Sequence, residues 1–125
     1  MQLKPNVPVK IAVAEDEPDI RKTFVWLLER LGHEVVCAAE NGEELLDKCQ
    51  LGTVDLVFVD LDMPVMDGLA AAEHIKKRGI PVILVSGHAD AEHVVLEHEP
   101  IVTRLRKPIT LEALQESISL ALRIE

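Results

Sequence analysis

Five short, nearly continuous aliphatic runs alternate with amphipathic stretches along the chain, and this alternation limits the available folds more than any other feature. The runs are Val9 to Ala14, Glu34 to Ala39, Val54 to Val59, Ile80 to Val85 and Ile101 to Leu105. A strand with one wet face alternates apolar and polar residues, whereas strands this continuous are covered on both faces, as in a parallel sheet. The intervening stretches carry helical spacing. Ile20, Phe24, Leu27, Leu28 and Leu31 lie at offsets 0, 4, 7, 8 and 11, one face of a helix. Pro18 suits its first turn and Gly32 its C-terminal cap. Asn41 is placed to cap a short helix bearing Leu45, Leu46 and Cys49, with Glu44 at the capping-box distance. A helix from about Gly68 to Arg78 presents Leu69, Ala72 and Ile75 and stops at Gly79, and Pro81 belongs at the beginning of a strand. A weaker helical stretch covers about Ala89 to Glu97, and Thr110 caps a last helix carrying Leu111, Leu114, Ile118 and Leu122.

Five such βα units predict an α/β fold with helices on both faces of a parallel sheet. Right-handed crossovers favour an open, doubly wound sheet, because a closed eight-unit barrel needs about twice this length. The 125 residues suffice for one domain, with its core between about residues 8 and 123. Aromatic residues are only Phe24, Trp26 and Phe58, so the core is expected to be aliphatic.

The net charge is −9, from 13 basic and 22 acidic side chains. This acidity, with so few rings, argues against a nucleic-acid platform, which needs a positive groove and stacking surfaces. No apolar run approaches the ~20 residues that span a bilayer, and the start MQLKPNVPVK lacks a signal-peptide hydrophobic stretch. Cys37 and Cys49 fall in no metal-binding spacing, and each lies among apolar residues. They read as reduced thiols packed as small hydrophobes, which implies a soluble protein in a reducing, cytoplasmic compartment without a membrane partner.

In doubly wound sheets, ligands bind beyond the carboxyl ends of the strands. Here those ends carry Glu15, Asp16 and Glu17 after the first run, Asp60 and Asp62 after the third, Ser86-Gly87-His88 after the fourth and Arg106-Lys107-Pro108 after the fifth. Crowded carboxylates repel unless protons or a cation neutralise them. Oxygen donors without Cys or His call for Mg²⁺, with Mn²⁺ as the substitute ion. A carboxylate beside such a cation is a competent phosphoryl acceptor, and a lysine with a hydroxyl supplies the remaining charge neutralisation.

Glu15-Asp16-Glu17, the segment VDLDMPVMDG from Val59 to Gly68, LVSG from Leu84 to Gly87 and RKP from Arg106 to Pro108 together resemble the signature of bacterial two-component receiver domains. The resemblance covers nearly the whole chain in order, and it implies a flavodoxin-like fold with strand order 2-1-3-4-5. It further implies that Asp60 accepts a phosphoryl group from a histidine kinase or histidine phosphotransfer protein. Asp16 would ligate Mg²⁺ together with Asp60 and the backbone carbonyl of Asp62, and Glu15 would act mainly through a metal-bound water. Lys107, before a cis Pro108, would pair with the acyl phosphate. Ser86 would move inward to a phosphoryl oxygen, and Asp62 and His88 would tune phosphoryl lifetime. The domain would not be an enzyme beyond its own phosphorylation and dephosphorylation.

Arg104 stands where receivers usually place Tyr or Phe, three residues before the lysine, so a switch acting through the Ser86 loop without a ring is expected. Glu99-Pro100 and Ile109 also depart from the common pattern. His88, His93 and His98, at offsets of five, do not share a helical face and read as solvated surface. The expected output is a switched contact with a downstream protein, by a monomer or a phosphorylation-dependent dimer. A stand-alone regulator without an effector domain is the first expectation, and a receiver excised from a hybrid kinase or larger regulator is the alternative. The Asp60-Leu61-Asp62 sequence also resembles the opening of haloacid-dehalogenase-type phosphatases, with Asp60 as nucleophile and Asp62 as general acid, and a receiver fold that only binds a partner is a third reading.

Overall fold

A computed structural model describes residues 8–87 and 101–122. Five strands, β1 (Lys10–Ala14), β2 (Glu34–Ala39), β3 (Leu56–Asp60), β4 (Val82–Ser86) and β5 (Ile101–Arg106), form one sheet in the order β2-β1-β3-β4-β5. All four pairings are parallel. The helices α1 (Pro18–Arg30), α2 (Gly42–Lys48), α3 (Gly68–Ile75) and α4 (Leu111–Leu122) cover it. The expected helix near residues 89–97, with His88, His93 and His98, lies outside the described residues. Among the described residues, no helix is long and apolar enough to cross a membrane.

The side-chain alternation of each strand divides the core into two layers. Ala12, Ala14, Val57, Val59, Val82 and Leu84 face α2 and α3, where they meet Leu45, Ala71 and Ile75. Ile11, Val13, Leu56, Phe58, Ile83 and Val85 face α1 and α4, where they meet Phe24, Leu28, Leu114 and Ile118. The core is aliphatic except at one point: Phe24 and Phe58 are buried edge to face, with ring centroids 5.0 Å apart. Trp26 lies on the outer side of α1, 57% exposed, with the Arg30 guanidinium 5.3 Å from its ring centroid.

The local signals act as their chemistry dictates. Asn41 Oδ1 accepts from Glu44 N at 2.8 Å, while Glu44 Oε1 accepts from Glu40 N at 2.7 Å, closing the N-terminus of α2. Thr110 Oγ1 accepts from Ala113 N, and Asp67 Oδ1 from Ala70 N, at the starts of α4 and α3. Helix α3 is shorter than expected, because Lys76–Arg78 tighten into a 3₁₀ turn before left-handed Gly79. Strand β3 starts at Leu56 instead of Val54, after a 3₁₀ turn at Leu51–Thr53, and the Asp55 carboxylate accepts from Lys10 N.

The cysteines overturn one expectation. Cys37 and Cys49 are joined in a disulfide, with Cα atoms 5.6 Å apart, and neither is a free thiol. Helix α2 folds back along β2, so Cys49, just after its C-terminus, reaches the middle of that strand. The twelve-residue spacing in sequence carries no information about this return.

Candidate functional site

The carboxyl ends of β1 and β3, flanking the point where chain order reverses, bring three acids together. One carboxylate oxygen from each of Glu15, Asp16 and Asp60 lies within 4.8 Å of the others. Glu15 and Asp60 are buried, 1% and 4% exposed, and Asp16 is half-buried.

Lys107 enters from the loop after β5. Its Nζ stands 3.0 Å from Asp60 Oδ2 and 3.2 Å from Glu15 Oε1. Lys107 N donates to Ser86 O at 3.0 Å, and the Lys107–Pro108 peptide is cis. Ser86 ends β4, buried, on the same rim and one residue beyond the Asp60–Val85 register pair. Asp60 Oδ1 accepts from Asp62 N at 3.3 Å, and the Asp62 side chain is exposed. Arg104 lies half-buried in β5, in register with Leu84, and lines a cleft of about 330 Å³ with Ser117 and Leu120. Glu15, Asp16, Asp60, Asp62, Ser86 and Lys107 thus share one end of the sheet, and Arg104 sits apart from it.

Three supports hold this rim, and two of them left no trace in the sequence. Ala39 O, at the end of β2, accepts from Glu15 N at 3.0 Å, and Arg21 Nη1 donates to Glu15 O at 2.8 Å. Gly68, at the start of α3, lies against Asp60: a Cβ there would stand 2.5 Å from the Asp60 carbonyl oxygen. The Asp-Gly pair before a helical stretch is the only one of these with a sequence cue.

Electrostatics follow from burial. Desolvation pushes the Glu15 carboxyl from its usual 4.5 up to about 7; the Glu17 N–H it accepts at 3.1 Å opposes this, the Asp60 charge adds to it and Lys107 opposes it. For Lys107, burial taken alone lowers the ammonium, but the hydrogen bond and charge of Asp60, with the charge of Glu15, outweigh it and hold Lys107 above its usual value. Lys107 therefore stays a cation.

The donor set fits a hard divalent cation. Glu15 Oε1 is fully buried, lies at ion-pair distance from Lys107, and accepts no well-directed hydrogen bond among the described residues. A buried carboxylate oxygen without a directed hydrogen bond, beside two further carboxylates, is the arrangement such a cation satisfies. With no Cys or His in the cluster, soft-metal chemistry is disfavoured.

Comparison with known proteins identifies the family. The sequence model described as the response regulator receiver domain matches residues 11–119. The transcriptional regulatory protein PdtaR of Mycobacterium tuberculosis is 32% identical over 117 residues, 92% of this chain and 57% of that protein. The autoinducer 1 sensor kinase/phosphatase LuxN of Vibrio harveyi is 29% identical over 121 residues, 91% of this chain and 14% of that protein. The chain thus spans little more than half of PdtaR and a small part of LuxN. A crystal structure of a response regulator receiver domain protein from Clostridium thermocellum superposes with a TM-score of 0.78 at 31% identity, covering 92% of this chain and 94% of that one. A chain from the CheX–CheY–BeF3–Mg complex of Borrelia burgdorferi has the same fold, with a TM-score of 0.84 at 21% identity over 95% of this chain and 92% of that one. The chain belongs to the response regulator receiver domain family.

Proposed function

We propose that Asp60 is the phosphoacceptor of a two-component or phosphorelay pathway, receiving a phosphoryl group from a histidine kinase or histidine phosphotransfer protein. The observation that carries the reading is the position of Lys107 Nζ, between Asp60 Oδ2 and Glu15 Oε1 beside a carboxylate trio.

In the proposed reaction an Asp60 carboxylate oxygen forms a bond to phosphorus as the histidine N–P bond breaks. The imidazole nitrogen keeps that electron pair and is later protonated by solvent. Mg²⁺, held by Asp16, Asp60 and the Asp62 carbonyl with Glu15 acting through water, would supply positive charge against the transferring oxygens. Lys107, already held against Asp60, follows the charge onto the new acyl phosphate. Ser86 donates its hydroxyl to a phosphoryl oxygen, and the exposed Asp62 side chain, with His88, tunes access of the water that returns Asp60 to its free form. Because β5 carries Arg104 in place of a ring, the Ser86 loop transmits the change without an aromatic flip.

The partners proposed are the phosphodonor protein and a downstream protein, with no nucleic acid or membrane bound by this domain, and the location proposed is cytoplasmic. Residues 1–125 read as one receiver domain without an enzymatic activity of its own, whether it acts alone or within a longer regulator.

Acetyl phosphate with Mg²⁺ tests the reading. One hydroxylamine-labile phosphoryl group per chain is expected, lost with Asp60→Asn and with EDTA. Steady release of phosphate from a phosphomonoester, without a labelled protein, would replace it with the phosphatase reading. A chain that binds no Mg²⁺ and does not change on Asp60→Asn would leave only a partner-binding domain.

A further inference from the structure

The Cys37–Cys49 bond closes a segment that holds two of the main-chain supports of the acidic rim. Within that segment, Ala39 O accepts from Glu15 N at 3.0 Å, and Gly42 N donates to Met66 O at 3.2 Å. The first contact seats a member of the carboxylate trio. The second seats the loop running from Asp60 to Gly68. There is no slack at the second contact, since a Cβ on Gly42 would stand 2.9 Å from both Met66 O and Met66 Cγ. The covalent link therefore ties together β2, an edge strand held by main-chain pairing on one side only, and α2, a helix of seven residues. Both are elements that local opening would reach easily.

We propose that Cys37–Cys49 is a reversible redox site whose state sets how tightly the acidic rim binds its divalent cation. The inference rests on the receiver reading for the identity of that cation and on the disulfide for its mechanism. The reductant is a dithiol. One of its thiolates attacks Cys37 Sγ, since Cys37 is half-buried while Cys49 is only 5% exposed. The sulfur–sulfur bond breaks, and Cys49 Sγ keeps the electron pair and takes up a proton. The second thiolate of the reductant then displaces Cys37, which leaves with the other electron pair and is protonated. The protein ends as a dithiol and the reductant as its disulfide, so the exchange balances. In a reducing compartment a disulfide of this kind is ordinarily transient and regulatory, whereas in an oxidising one it would stay closed.

The test compares the full chain prepared without reductant and the same chain treated with dithiothreitol. Intact mass and alkylation of the unfolded chain count the thiols, and an NMR or calorimetric titration with Mg²⁺ alone reads the rim. The expected result is one disulfide before treatment, two thiols after it, and Mg²⁺ bound about threefold or more weakly once reduced. The melting midpoint should fall by on the order of 10 °C. Cys37→Ala with Cys49→Ala should match the reduced chain and ignore dithiothreitol. If that variant fails to fold, the comparison of the two wild-type states decides alone. Two thiols in the untreated chain, or equal Mg²⁺ affinity in the two states, would overturn the proposal. A redox-dependent affinity with no acetyl phosphate labelling in either state would uphold it and overturn the receiver reading instead.

Discussion

Gly68 lies so close to Asp60 that a Cβ at position 68 would stand 2.5 Å from the Asp60 carbonyl oxygen and 3.0 Å from its carbonyl carbon. Backbone is on both sides of this contact, so no flexible side chain can give way. Gly68→Ala should lower stability by about 2 kcal/mol by urea denaturation followed by circular dichroism. It should also reduce phosphorylation of Asp60 by acetyl phosphate, because the start of α3 and the end of β3 must separate. An alanine variant matching the wild type in both measurements would show that the contact relaxes freely.

Glu15 gives the metal-free domain a pH dependence. Its carboxyl is raised from 4.5 to about 7 by burial, so the folded state binds more protons than the unfolded one between those values. Stability from this group is complete below pH 4.5 and declines as pH rises to about 7, by at most on the order of 3 kcal/mol. Glu15→Gln should flatten that slope in EDTA. Across the same interval Mg²⁺ affinity should rise, since deprotonation of Glu15 adds negative charge to the rim.

His33 acts in the opposite sense. It is buried, and its Nδ1 accepts from Val9 N at 3.2 Å, which requires the neutral ring. Burial lowers its pKa below 6.5, so its contribution is complete above pH 6.5 and is lost as pH falls through the lower folded value. In the Glu15→Gln background, where the other slope is removed, stability should therefore drop on acidification below pH 6.5, and His33→Gln should lessen the drop. Denaturation series from pH 5 to 8 measure both slopes.

Val65 is a β-branched residue with φ of 69°, in the left-handed region, and it is 74% exposed. The backbone there is strained and little burial repays it. Asn tolerates this conformation far better, so Val65→Asn should raise stability by about 1 kcal/mol in thermal or urea denaturation. No gain would mean that the loop shifts to a relaxed φ in solution.

How far the fold could be read from sequence depended on the range of each cue. The strand ends were legible because parallel strands are continuous apolar runs, so Asp60, Ser86 and Lys107 stood out as polar residues just past them. Asn41 and Thr110 cap their helices through bonds spanning three residues, a distance that sequence spacing encodes. Ala39 gave no signal because a main-chain acceptor does not depend on residue type, and Arg21 gave none because its guanidinium donates to a main-chain oxygen that carries no residue-type cue. The Cys37–Cys49 link depends on how α2 returns along β2, and the start of β3 on an Asp55 contact with Lys10, 45 positions away. Both are tertiary facts. Arg104 was visible as a departure from the family pattern, and the cleft it shares with Ser117 and Leu120 was not.

The placement of Trp26 determines what light can report about this chain. The single indole is on the outside, stacked near Arg30, while the buried rings are two phenylalanines that emit weakly. Its emission should already resemble that of a solvated indole in the folded state, so global unfolding changes it little and backbone dichroism is the better monitor of stability. The same indole becomes a sensitive, label-free reporter for any protein that settles on the outer side of α1, because nothing else in the chain competes with its signal.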